Sequence, residues 1–146
     1  LVRDLMRPDW YEGLPQGSFD RILCFAVLHH IPGIENQLRI LKDIRQLLKP
    51  NGFFIFSVWQ FLSSQKLVHR IQSWDKAGLD NSDVDEGDYL LDWRAEGNQD
   101  CLRYVHHFSS EKLEDIRREC GYRQMEQFLS DGVNDQLGLY SIWQPE

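Results

Sequence analysis

Two histidines, His29 and His30, stand together at the end of an apolar run, Arg21 to Leu28, and lead into Ile31-Pro32-Gly33. Imidazole is the side chain that exchanges protons near neutral pH. An adjacent pair at a strand tip reads as a proton-handling or substrate-contacting pair, or as one ring capping the strand while the other packs under the loop. A second group, Arg103, Tyr104 and His106, crowds the short apolar segment Leu102 to Phe108. A guanidinium there can hold a carboxylate through two parallel hydrogen bonds, or it can simply edge a strand. Trp93 offers a flat face on which a base could stack, or an anchor for a lid. Asp4 closes the apolar stretch Leu1 to Leu5 and, on residue type alone, reads as a turn aspartate in water.

Other residues exclude chemistries. The acidic run Asp80, Asp83, Asp85, Glu86 and Asp88 invites a calcium loop. Counting back from Gly87 puts Ser82, Val84 and Glu86 at the ligand positions, so the calcium-loop pattern fails and a solvated acidic connector is expected. Cys24, Cys101 and Cys120 share no short spacing and read as unpaired thiols in a reducing compartment. A net charge of -7 argues against broad attraction to nucleic acid while leaving room for a local basic groove. No apolar run approaches the ~20 residues of a membrane helix. A cytoplasmic protein without membrane contact is expected.

The elements that must position these residues begin with a strand–helix–strand unit between Phe19 and Trp59. Arg21 to Leu28 and Phe53 to Trp59 are apolar on both alternating faces, as in central parallel strands covered by helices on each side. Between them, Ile34, Leu38, Leu41, Ile44 and Leu48 recur at helical spacing over Glu35 to Lys49, and Pro50 with Gly52 stops the helix. Such units build parallel α/β sheets, which bind ligands at the carboxyl tips of their strands. Phe61, Leu67, Val68, Ile71 and Trp74 predict a helix over Phe61 to Ala77. Apolar segments 89–93 and 102–108 flank a polar turn at 96–100. Ser109-Ser110-Glu111 caps a helix ended by Gly121, and Met125 to Leu129 with Leu137 to Trp143 predict an antiparallel hairpin. The chain opens at Leu1 and its first residues read as the end of a strand, so further sequence is expected upstream.

Phe19-Asp20, the strand ending Leu28-His29-His30-Ile31-Pro32, and Leu47-Leu48-Lys49-Pro50-Asn51-Gly52 before an apolar strand resemble class I S-adenosylmethionine-dependent methyltransferases. There the pattern marks the fourth strand, the following helix and the fifth strand. A narrower resemblance is to tRNA wobble-uridine carboxymethyl methyltransferases. It rests on Ala26-Val27-Leu28-His29-His30, on Trp93, and on Arg103, Tyr104, His106 and Phe108 ahead of Leu113-Glu114. The resemblance implies a single α/β domain fragment over 1–146 with a Rossmann-like class I methyltransferase sheet, N-terminally truncated from the third strand onward and closed by an antiparallel hairpin. The family's glycine-rich loop would lie upstream of Leu1, so this fragment is expected to bind cofactor poorly alone and to be weakly active or inactive.

Carried over by position, Asp4 and Leu5 would hold the adenine of S-adenosyl-L-methionine, Phe25 and Ala26 would face its methionyl and sulfonium part, and His30 would also contact the cofactor. Arg103, His29 and His106 would serve catalysis, with Trp93 and Tyr104 on the acceptor. In related quinone O-methyltransferases, Glu-x-x-Glu-His binds a divalent metal. Here those positions read Ala26, His29 and His30, so no metal is expected. The partners implied are tRNA or a small-molecule methyl acceptor and a small activating protein subunit. A small-molecule O- or N-methyltransferase and a non-catalytic partner subunit are the competing readings.

Overall fold

The computed structural model describes residues 1–95, 98–132 and 134–146, with backbone alone at 93–95 and 98–100. The crossover forms as expected. Strand β1 (Phe19–Phe25) leads through helix α1 (Ile34–Leu47) to strand β2 (Leu48–Trp59), and β1 pairs with β2 in parallel. Toward the end of the chain, helix α3 (Ser110–Glu119) precedes strands β6 (Tyr122–Ser130) and β7 (Gly138–Pro145). β7 lies antiparallel between β2 and β6, giving the order β1-β2-β7-β6.

Side chains alternate across a strand, so Phe54, Phe56 and Val58 of β2 share one face with Trp143 of β7. That face buries Ile40, Leu41 and Ile44 of α1 and Leu113 and Ile116 of α3. Phe56 and Trp143 meet edge to face at 4.6 Å, both fully buried. Gly52 is required where β2 enters, because a Cβ there would come within 2.8 Å of the Phe19 carbonyl. At α3 the expected cap is present, with Ser109 Oγ accepting from the Lys112 N–H at 3.1 Å.

Several expectations change. Among the described residues, the two strands carry helices on one side only. Both α1 and α3 pack on one face, so Leu23 and Phe25 on the other are 61% and 48% exposed. β1 ends at Phe25 rather than Leu28, and Leu28–His30 forms a 3-10 turn. Lys49-Pro50-Asn51 belongs to β2, whose pairing with β1 slips between Phe19 and Arg21, and an irregularity of that kind tolerates a proline that cannot donate. Residues 1–4 carry no regular structure and a series of turns follows, so the strand end expected at Leu1 to Leu5 is not there.

The helix expected over Phe61 to Ala77 is broken into a 3-10 turn (Phe61–Ser63), a single turn α2 (Gln65–Val68), a two-residue strand β3 (Ile71–Gln72) and another 3-10 turn (Trp74–Ala77). Its apolar residues are claimed by a second sheet, β3-β4-β5, built from β3 and the hairpin of β4 (Asp88–Ala95) and β5 (Asn98–His106). Phe61, Leu91 and Val105 form that sheet's own core, with Leu67, Ile71 and Tyr89 against it. Of the turn expected at 96–100, Asn98 to Asp100 lie in β5, and 96–97 fall outside the described residues.

Phe56→Ala is expected to cost about 3–5 kcal/mol, the range for deleting a buried aromatic. Leu23→Ala on the open face should stay within about 0.5 kcal/mol. Urea unfolding of both variants checks the assignment of the two faces.

Candidate active site

The site grows from the way β1 ends. Ala26 adopts the left-handed conformation at φ 54, a placement that costs a non-glycine residue about 1–2 kcal/mol. It is held there by Ser57, whose carbonyl and hydroxyl both accept from the Ala26 N–H, at 3.2 and 3.1 Å. The chain then folds under the strand tips in the Leu28–His30 turn, closed by the His30 N–H to the Val27 carbonyl at 2.8 Å.

His29 is fully buried and stacks on Trp59, with centroids 5.0 Å apart. Its Nδ1 accepts the Trp59 backbone N–H at 3.3 Å, so the proton of the neutral ring sits on Nε2, which is buried without a partner. Burial first, then His30 and Arg103, push its pKa down to about 3. With its lone pair committed to Trp59, His29 fits the role of a packed ring under the tip. His30 is half-buried, and its Nδ1–H donates to the Tyr104 carbonyl at 2.9 Å. Burial lowers its pKa, the Tyr104 carbonyl raises it, and Arg103 lowers it again. The Arg103 guanidinium lies 5.8 Å over the Trp59 ring. His29, His30, Trp59 and Arg103 are thus gathered from three elements at the carboxyl end of the parallel pair.

Tyr104 and His106 do not join them. Alternation along β5 turns Arg103 and Val105 to one face and Tyr104 and His106 to the other. On that second face Asp88 collects the hydrogen bonds. Its Oδ1 accepts from the Tyr104 hydroxyl and from the His106 Nδ1–H, each at 2.6 Å, and its Oδ2 from the Asp85 N–H at 3.1 Å. Burial, then Asp88, raise the Tyr104 pKa, so the phenol remains a donor. Asp88, expected in a solvated connector, is instead the first residue of β4, its side chain 5% exposed. The signal that could have found it is cross-strand register, which sets Asp88 opposite His106.

The adenine-side residues are not brought here either. Asp4 is exposed and accepts the Met6 N–H at 3.0 Å, while the Leu5 carbonyl accepts from Arg39 of α1 at 3.0 Å. That stretch therefore lies along α1, on the helix-covered side, whereas the Phe25 side chain points to the open face with Ser57. The Trp93 backbone pairs with Cys101, and its side chain lies outside the described residues. Among the described residues no cluster of three or more His, Cys, Asp or Glu could hold a metal, and no helix is long and apolar enough to cross a membrane.

Residues 2–127 match the family described as Methyltransferase domain. A protein of Encephalitozoon cuniculi described as a methyltransferase is 28% identical over 109 residues, covering 75% of this chain and 47% of that protein. The tRNA (carboxymethyluridine(34)-5-O)-methyltransferase of Mus musculus is 31% identical over 109 residues, 69% of this chain and 16% of that protein. The chain thus spans less than half the length of either relative. Among solved structures, a SAM-dependent methyltransferase from Methanosarcina mazei superposes with a TM-score of 0.69 at 18% identity, over 99% of this chain and 66% of that one.

Because His29 is neutral in the fold at about pH 3 and above, while an unfolded histidine protonates below about 6.5, the unfolded chain binds more protons between those limits. Stability is therefore complete above pH ~6.5 and declines as pH falls toward about 3. His29→Phe should flatten that acid slope, measured as urea midpoint against pH.

Proposed function

We propose, from the premise that this chain belongs to the methyltransferase domain family, that it serves S-adenosyl-L-methionine-dependent methyl transfer at the tips of β1 and β2. The acceptor in this reading is the carboxymethyl oxygen of a tRNA wobble uridine. The observation that carries it is the Arg103 guanidinium held over Trp59 beside His30, at the end of the sheet where parallel strands take ligands. A carboxylate acceptor is ionised at neutral pH and needs alignment and partial desolvation rather than a base. An arginine beside half-buried aromatic rings supplies both. The likeness to the mouse tRNA enzyme supports the same acceptor.

The strand tip suits the methyl-donor end of the cofactor. Phe25 is 48% exposed beside Ala26, and neither side chain carries a nucleophilic atom, while the nearby Ser57 hydroxyl is occupied in accepting the Ala26 N–H. When bound, the cofactor supplies the methyl group. Ala26 and Phe25 would pack against its methionyl part, and Arg103 would orient the acceptor. Asp4 and Leu5 lie along α1 and are left out of this proposal.

Arg103→Lys keeps the charge and loses the planar fork, so turnover of a carboxymethyluridine acceptor should fall roughly 10- to 100-fold. Steady-state kinetics check this, and near-normal rates would remove Arg103 from the mechanism. Mass spectrometry of tRNA from a strain lacking the protein should show carboxymethyluridine accumulating at the expense of its methyl ester. An unchanged ester would overturn the choice of acceptor.

A further inference from the structure

Transfer to a carboxylate has no use for the Asp88–His106 pair, yet the fold buries both side chains, leaving them 5% and 4% exposed. Taking a carboxylate and an imidazole out of water is unfavourable unless each finds partners. The surroundings of His106 are also specific. Phe108 packs edge-on against its ring at 4.6 Å. Gly87, at φ 95, keeps the backbone bare beside it, since a Cβ there would come within 3.1 Å of Cε1 and 3.4 Å of Nε2. His106 lines a cavity of about 540 Å3 with Ile34 at the start of α1 and Ser109 and Lys112 at the start of α3. It sits two residues, ~7 Å along β5, from the Tyr104 carbonyl that holds His30.

With Nδ1–H given to Asp88, the neutral ring keeps the lone pair of Nε2 beside Gly87, and Gly87 and His106 both line the cavity. We propose that Asp88 and His106 form a proton-accepting centre for methyl acceptors whose nucleophilic atom carries a hydrogen, such as a hydroxyl or ring N–H. This extends the acceptor range beyond carboxylates and rests on the methyltransferase reading above. His106 Nε2 takes the acceptor's proton while the oxygen or nitrogen lone pair bonds to the donor methyl carbon. The methyl carbon–sulfur bond breaks with its electron pair left on sulfur, giving a neutral thioether. The imidazolium then faces the Asp88 carboxylate and returns its proton to water. His106 is the catalytic residue and Asp88 a positioning residue, itself fixed by the Tyr104 hydroxyl and the Asp85 N–H.

The test has a spectroscopic arm and a kinetic arm, both on the full chain. Nitrogen-15 NMR of the His106 ring should place the proton of the neutral form on Nδ1 and leave Nε2 bare, and Asp88→Asn should disturb that preference. A proton found on Nε2 would overturn the proposal. Kinetics compare 5-hydroxyuridine with 5-carboxymethyluridine as acceptors. His106→Ala should lower turnover of the hydroxyl acceptor on the order of 10²- to 10⁴-fold, far more than that of the carboxylate, and added imidazole should restore part of the loss. His106→Gln, closer in shape, should show the same selectivity if the alanine variant folds poorly. Equal losses on both acceptors without imidazole rescue would make the network structural only. Wild-type transfer to the carboxylate alone would likewise remove the proton-accepting role and leave the methyltransferase reading standing. No transfer to either acceptor by a protein that calorimetry shows to bind S-adenosyl-L-methionine would overturn both.

Discussion

One amide proton sets the shape of this site. The Ala26 N–H lies between the carbonyl and the hydroxyl of Ser57, and this pair of contacts keeps a non-glycine residue in a left-handed conformation at the end of β1. Were the strand to continue, Leu28, His29 and His30 would alternate across the sheet. Turned under instead, they place Leu28 in the main core and His29 against Trp59, and they bring His30 within reach of β5. Neutrality of His29 is a consequence of the same turn. A ring sealed under the tip next to Arg103 is far less costly to bury uncharged.

The bond from His30 to the Tyr104 carbonyl links the two sheets where the chemistry is expected. On one side of β5 it sets Arg103 above Trp59. On the other it anchors the strand whose next outward residues meet Asp88. The helical layer is joined separately. Arg45 of α1 donates to the Gly121 carbonyl at 2.9 Å just past α3, and Lys42 pairs with Glu119 at 2.9 Å. Exposed pairs such as the latter add little on their own. The shared apolar face beneath them does most of the holding.

Much of the frame was legible because its signals are local. The helical spacing of Ile34, Leu38, Leu41 and Ile44 and the Ser109 cap each act within a few residues. What escaped depends on distant partners. Phe61, Leu67 and Ile71 keep a helical period, yet they are drawn to Val105 and Leu91, residues far along the chain. Asp88 looked like one more solvated acid because its partner lies 18 positions on, across a hairpin whose register no local residue declares. Arg103, Tyr104 and His106 read as one cluster, and only the pleat of β5 divides them. Coverage of β1 was equally out of reach, since composition cannot say on which side helices will settle.

The open side of the sheet has a physical consequence of its own. Phe25, Tyr140 and Phe128 form a ladder of rings across β1, β7 and β6, with centroids 6.0 and 5.4 Å apart, and Leu23 and Phe128 are 61% and 45% exposed beside and within it. Sulfate and similar salting-out ions strengthen the burial of apolar groups generally. They would tighten the core of each molecule and, by the same force, press these ladders together between molecules. For this chain, a solvent chosen to harden the fold is also one that invites precipitation.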